Sequence, residues 1–170
     1  MNIKTIVKKN KVFSILLQLA AVLVVYFIIR AWQSVDNIKG QAPVILATSL
    51  NNEKIDSRDF KTKPLLIHFW ATWCPICQFE NNNIENIAKD YQVISIASWS
   101  GGAAEVRQYL KDEQLHLPIV ILDDDAEWAK VFAVKGVPTS FIVDKQGVIH
   151  FIEKGYTSEV GLRLRLWWLQ

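Results

Sequence analysis

The chain has 170 residues, 51 % hydrophobic and 21 % charged, enough for one globular domain with an appendage. Its formal charge of +2 comes from residues 1–30, which hold five Lys or Arg and no acid; the remainder carries 14 basic against 17 acidic side chains, a net −3. With no basic stripe interleaved with aromatics in that remainder, the composition gives no basis for nucleic-acid binding.

Residues 1–11 carry Lys4, Lys8, Lys9 and Lys11 and read as a basic cytoplasmic tail. Val12 to Ile29 is an 18-residue apolar run broken only by Ser14 and Gln18. As a helix it would be about 27 Å long, enough to cross a hydrocarbon core. Arg30 and Trp32 follow, as interfacial anchors do. A cleavable signal peptide is the alternative, but its core is shorter, about 7–15 residues, and small residues precede its cut. Here the run ends Phe27-Ile28-Ile29-Arg30-Ala31-Trp32-Gln33, and no Cys follows to carry a lipid. The sequence predicts an uncleaved transmembrane anchor over 12–31, with the lysines holding the N-terminus in the cytoplasm. The rest then lies across the membrane, in a periplasm-like compartment that permits thiol–disulfide chemistry.

Residues 32–41 read as a polar linker and 42–170 as one domain. Val44–Ala47 and a stretch around Lys54–Ile55 suggest a small hairpin turning at Asn51-Asn52. Leu65–Trp70 is apolar except for His68, the pattern of a strand buried on both faces. It runs into Trp73-Cys74-Pro75-Ile76-Cys77, which holds both cysteines of the chain. A helix is predicted from Pro75 to about Asp90, with Ile76, Phe79, Ile84, Ile87, Ala88 and Tyr91 as its buried face.

Cys-x-x-Cys at a strand–helix junction reads as a redox site. The helix start directs the first sulfur outward, where free N–H groups and the dipole stabilise a thiolate. Cys77 lies on the same side of the first turn and can close a disulfide with Cys74. Pro75 takes the first helical position, where its missing N–H costs nothing. Two other readings compete. A zinc site would need four ligands, yet no second Cys pair exists and His68, His116 and His150 lack ligand spacing. A static staple is the other, but so short a loop constrains the unfolded chain little.

Beyond Cys77, Val93–Ala97 is predicted as a strand, and Ala103–Gln114 as a helix with Val106, Tyr109 and Leu110 inward. Ile119–Leu122 reads as a strand and Asp125–Val131 as a short helix. Thr139–Val143 and Val148–Ile152 form a hairpin across Lys145-Gln146-Gly147. The tail is read as a helix capped by Thr157 or Ser158, with Leu162, Leu166 and Leu169 inward, although Leu162–Leu166 also alternates like a strand. Strands alternating with helices and closing in a hairpin and helix imply an α/β domain with a mixed sheet. No internal repeat is evident, and Asn81-Asn82-Asn83 reads as solvated helix face.

Phe69 to Cys77 resembles the active site of thioredoxin-like proteins, and Gly136-Val137-Pro138-Thr139 resembles their cis-proline loop. Glu80, the extra strand–helix unit between Tyr91 and Leu122, and the N-terminal anchor are similar to the TlpA/DsbE-like membrane-anchored branch. The tail Gly155-Tyr156-Thr157-Ser158-Glu159 with Gly161-Leu162-Arg163 is most similar to ScsD-type protein disulfide oxidoreductases. The resemblance implies a thioredoxin-like fold with an N-terminal hairpin extension and a central strand–helix insertion. Cys74 matches the nucleophile, Cys77 the buried resolving thiol, and Pro138 the cis-proline facing their disulfide. The Val137 backbone is expected to pair with an extended partner strand. Glu80 matches a carboxylate near the pair, and its alternative is a helix-surface acid. Trp73, Pro75 and Ile76 are expected to shape the contact surface. Thioredoxins carry a buried acid where this chain has His68; an inward His there could relay the Cys77 proton, because His titrates near neutrality, or could be an inert core residue.

The resemblance implies thiol–disulfide exchange with partner proteins and no cofactor beyond the redox-active disulfide. It leans towards a reductase recharged by a membrane electron donor of the DsbD/ScsB type. Reducing cytochrome c precursors for haem attachment is a sibling role with the same chemistry. A peroxidase would need Pro-x-x-x-Thr-x-x-Cys, and this chain has Phe69-Trp70-Ala71-Thr72 before Cys74. Two vicinal thiolates also suit Cu(I), but the chain has one Met and scattered His.

Overall fold

The computed structural model of the protein describes residues 17–18, 20–25 and 40–170. The chain divides into two compact units, Met1–Asp36 and Asn37–Gln170. In the first, residues 17–18 and 20–25 are helical and exposed. Among the described residues no helix is long and apolar enough to cross a membrane. The basic tail, most of the anchor expected over 12–31 and the linker up to residue 39 lie outside the described residues.

The second unit is built on a six-stranded mixed sheet in the order β1-β8-β7-β4-β5-β6. Its strands are β1 (Gly40–Gln41), β4 (Leu65–Trp70), β5 (Gln92–Ser98), β6 (Val120–Asp123), β7 (Thr139–Val143) and β8 (Val148–Lys154). β4, β5 and β6 are parallel; β7, β8 and β1 continue antiparallel. Strands β2 (Leu46–Thr48) and β3 (Lys54–Asp56) make the separate N-terminal hairpin, turning through Asn52 at φ +65°. One boundary moves: Gly40–Gln41, expected in the linker, already pairs with β8.

All six residues of central β4 are buried, and its alternation divides the core. Leu66 and Trp70 point to the face covered by α1 (Pro75–Ala88), α2 (Ala103–Asp112) and α4 (Glu159–Trp168). Leu65, Ile67 and Phe69 point to the other face, with α3 (Glu127–Val131) and the β2–β3 hairpin. There Phe69, Phe132 and Phe141 pack with ring centroids 5.2–5.8 Å apart. Each buried Ile, Leu or Phe in these two layers contributes about 1.5–3 kcal/mol.

The tail is the predicted helix rather than a strand. Ser158 Oγ accepts the Gly161 N–H at 3.2 Å, Glu159 occupies the first turn, and Leu162 and Leu166 are fully buried. Helix α3 has no cap from its own N-cap residue; buried Asp123 accepts the N–H groups of Trp128 at 2.8 Å and Ala129 at 3.1 Å.

Helix α1 departs from the sequence reading. Ile76 and Phe79, expected inward, are 49 % and 76 % exposed, and its buried positions are Cys77, Glu80, Asn81, Ile84 and Ile87. Its phase is set so that Cys77 faces the sheet, which turns the apolar residues of the first turn to solvent and two polar ones inward.

Candidate active site

β4 ends at Trp70, and the next three residues form a turn held by β5's end. Thr72 N–H donates to Ser100 Oγ at 3.1 Å, and Trp73 Nε1 donates to the Trp99 carbonyl at 2.8 Å. Cys74 N–H donates to the Ala71 carbonyl at 3.2 Å. Cys74 is the N-cap of α1, extended at φ −91°, ψ 108°, and Pro75 opens the helix. In place of a capping oxygen, Cys74 Sγ accepts the Cys77 N–H at 3.1 Å. The two cysteines form a disulfide with Cα atoms 5.2 Å apart. Both are buried, Cys77 completely and Cys74 to within 5 %.

The loop before β7 lies against the first sulfur. The Val137 carbonyl oxygen is 3.7 Å from Cys74 Sγ, and the Val137–Pro138 peptide is cis. Thr139 Oγ1 donates to the Gly136 carbonyl at 2.7 Å, and Gly155 N–H to the Pro138 carbonyl at 2.8 Å, fixing the loop to the chain leaving β8. A hollow of about 220 Å³ lies beside it, lined by Gly136 to Thr139 and Gly155 among others. Trp73 is 62 % exposed; with Pro75 and Ile76 it forms the solvent side around the disulfide, and Val137 is half-buried.

A row of polar side chains crosses the otherwise apolar helix-covered face of the sheet. Ser95, His68, Ser140 and Glu153 are cross-strand neighbours on β5, β4, β7 and β8. His68 is fully buried, with Nδ1 and Ser140 Oγ hydrogen-bonded at 2.9 Å and Nε2 without a partner among the described residues. Burial pushes its pKa down to about 3. Burial favours the uncharged ring, which supports the core-residue reading of His68 over the proton relay. Glu80, one turn beyond Cys77, is fully buried and is no helix-surface acid. Its Oε1 accepts the Thr157 N–H at 3.2 Å and its Oε2 has no partner among the described residues. Burial raises its pKa to about 7, opposed by the Thr157 N–H and aided by the Glu153 charge. Glu153 in turn binds Arg165 at 2.8 Å.

The sequence reading did not single out Ser140, Glu153 or Arg165, and it took Thr157 as a possible helix cap rather than as a partner of Glu80. Ser140, two residues past Pro138 and in the strand that follows it, was within reach of the motif; Thr157 and Glu153 meet Glu80, and Arg165 meets Glu153, only through tertiary packing. Among the described residues no three His, Cys, Asp or Glu side chains converge as metal ligands.

Residues 36–161 match a family described as Redoxin. A thioredoxin-like protein of Haemophilus influenzae is 35 % identical over 121 residues, which cover 71 % of either chain. The thiol-disulfide oxidoreductase ResA of Bacillus thuringiensis subsp. konkukian is 33 % identical over 124 residues, 70 % of this chain and 71 % of that one. In structure, a thiol:disulfide interchange protein of the thioredoxin family from Chlorobium tepidum matches with a TM-score of 0.67. At 22 % identity, over 78 % of this chain and 97 % of that one, that likeness is one of fold.

Proposed function

The chain belongs to the Redoxin family, and from that premise we propose that it is a membrane-anchored enzyme reducing disulfides in partner proteins across the bacterial inner membrane. At the coarser level it is a thiol-disulfide oxidoreductase of the DsbE/ResA type with a thioredoxin-like fold and a disulfide-bonded Cys pair. The observation that carries the reading is the Cys74–Cys77 disulfide at the N-terminus of α1, with the Val137 carbonyl beside Cys74 Sγ.

In the reduced enzyme the Cys74 thiolate attacks one sulfur of a partner disulfide. That bond breaks, a Cys74–partner disulfide forms, and the partner's other sulfur leaves as a thiolate. Cys77 then loses its proton and attacks Cys74 Sγ, closing the intramolecular disulfide and expelling the second partner thiolate. Two electrons pass to the partner, whose two thiolates take up protons. The backbone around the first turn stabilises the attacking thiolate, as the Cys77 N–H on Cys74 Sγ supports. Val137 receives an extended partner segment, with Trp73, Pro75 and Ile76 as its rim. Glu80 accepts the Cys77 proton.

The direction is the reducing one, by resemblance to the anchored TlpA/DsbE-like branch, and ScsD-type proteins are the nearest pattern for the tail. A membrane dithiol donor of the DsbD/ScsB type would return the two electrons. The basic tail and the apolar run over 12–29 support an uncleaved anchor that leaves the catalytic domain in the periplasm. A Cys77→Ser variant expressed in cells tests the function: it should accumulate mixed disulfides with its partners through Cys74. A Cys pair held oxidised in growing cells would reverse the direction, and failure to reduce insulin with tight Cu(I) binding would replace the enzyme by a metal binder.

A further inference from the structure

Helix α4 carries more apolar surface than the core uses. Leu162 and Leu166 are fully buried, yet Val160, Leu164, Trp167 and Trp168 on the outer side are 60–74 % exposed. Their spacing puts them along one stripe. The stripe ends in two adjacent tryptophans, the side chain that partitions to the headgroup level of a bilayer.

This end of α4 lies where the linker joins the domain. Lys145 Nζ donates to the Gln170 carbonyl at 2.6 Å, just past Trp168. In the same turn the Gln146 carbonyl accepts from Gln41 Nε2 at 3.1 Å and the Gly147 carbonyl from Ala42 N–H at 2.8 Å. One turn thus ties the chain end to the first residues of the domain. Other cations gather at this end: Lys63 Nζ donates to the Asp90 carbonyl at 2.8 Å, exposed Lys89 Nζ to Asn86 Oδ1 at 2.8 Å, and Arg163 pairs with both Asp90 and Glu159 at 2.7 Å. The disulfide is at the opposite end of the sheet, because β4 runs towards Cys74 and β7 runs away from Pro138 to the 144–147 turn.

We propose that this end of the domain seats on a lipid surface, with Trp167, Trp168 and Leu164 among the headgroups and the disulfide facing away. The seating rests on the anchor reading. Ten residues, 30–39, separate the apolar run from β1, and fully extended they reach at most about 36 Å. On that reading the tether keeps the linked end within this reach of the bilayer, where its lysines would meet lipid phosphates. A second copy of the chain fits less well, because it would use neither the tether nor the cationic rim.

The test uses the full chain in vesicles of phosphatidylethanolamine and phosphatidylglycerol, compared with a Trp167→Gln/Trp168→Gln variant. Their difference emission isolates these two side chains from the other five of the seven tryptophans. With brominated acyl chains the difference emission should lose more than half its intensity, while both proteins exchange disulfides at the same rate. Flotation with the vesicles reports the anchor separately. A chain that does not float ends the anchor reading and the seating with it. A floating chain whose difference emission is unquenched overturns the seating alone. Emission insensitive to brominated lipid but shielded from iodide, together with a dimer in sedimentation, gives the stripe to a second copy and also overturns it.

Discussion

Replacing Glu80 by Gln removes a buried carboxyl that holds its proton up to about pH 7. Buried and accepting only the Thr157 N–H among the described residues, Glu80 is moved from its ordinary 4.5 to about 7, chiefly by desolvation. That corresponds to about 3 kcal/mol of tighter proton binding in the folded state. The sign follows from linkage. Below about 4.5 the acid is protonated whether folded or unfolded, and burial carries no ionisation cost. As pH rises the unfolded chain releases the proton while the folded one keeps it, so stability falls, and the loss is complete above about 7. Gln stays neutral and can still accept the Thr157 N–H. The variant should match the wild type in urea unfolding near pH 4.5 and exceed it by about 3 kcal/mol at pH 8. In stopped-flow measurements, resolution of a preformed Cys74 mixed disulfide should accelerate through about pH 7 in the wild type and lose that rise in the variant. If the stability difference is the same at both pH values and the two rate profiles coincide, Glu80 neither titrates there nor takes the Cys77 proton.

Iodoacetamide should alkylate Cys74 before Cys77 near pH 7, because helix N-termini and Cys-x-x-Cys settings lower thiol pKa values to about 3.5–7.5; Cys77 reacting first reverses the assignment. Cys74→Ser should abolish exchange. His68→Leu should leave the pH profile of resolution unchanged from pH 5 to 8, since the ring is already uncharged there, and cost about 1–3 kcal/mol through the unpaired Ser140 hydroxyl; a flattened profile would return the relay to His68. Leu162→Ala, emptying a fully buried site under α4, should cost about 2–5 kcal/mol in urea unfolding, and a loss well under 1 would mean that α4 is not docked. Alkaline phosphatase fused after residue 170 should be active in the periplasm; an inactive fusion with a folded Cys domain in the cytoplasm contradicts the expected orientation.

Much of the fold was legible because local chemistry and tertiary role agree. Six apolar-dominated residues made β4 a buried strand, Pro75 opened α1, and Ser158 with inward Leu162 and Leu166 made the tail a helix. Legibility failed where the site overrides hydropathy. In α1 the inward positions next to Cys77 belong to Glu80 and Asn81, while Ile76 and Phe79 face out, so a rule that turns apolar residues inward picks the wrong side of that turn. The Ser95–His68–Ser140–Glu153 row depends on strand register, which no single strand encodes. Trp99, Ala126 and Ala133 adopt positive φ without a glycine to announce it.

The arrangement separates two electrostatic tasks. Stabilising the Cys74 sulfur falls to backbone N–H groups at the start of α1, seen in the Cys77 N–H on Cys74 Sγ. Those donors do not themselves titrate, so the pH dependence of the attack is that of the Cys74 thiol alone. Moving the Cys77 proton needs a group that changes charge near neutrality inside a dry layer. His68 is the residue closest in position to a thioredoxin's buried acid, but burial holds its pKa near 3 and its Nδ1 is engaged with Ser140. Glu153 has Arg165 from α4 against it. The proposed acceptor, Glu80, is held by one backbone N–H and repelled by the Glu153 charge. Both its N–H donor, Thr157, and the arginine on Glu153 come from the tail, so the docking of α4 completes the site as well as the core. On the proposed reading, a chain lacking this tail would keep its disulfide and lose the N–H that holds Glu80.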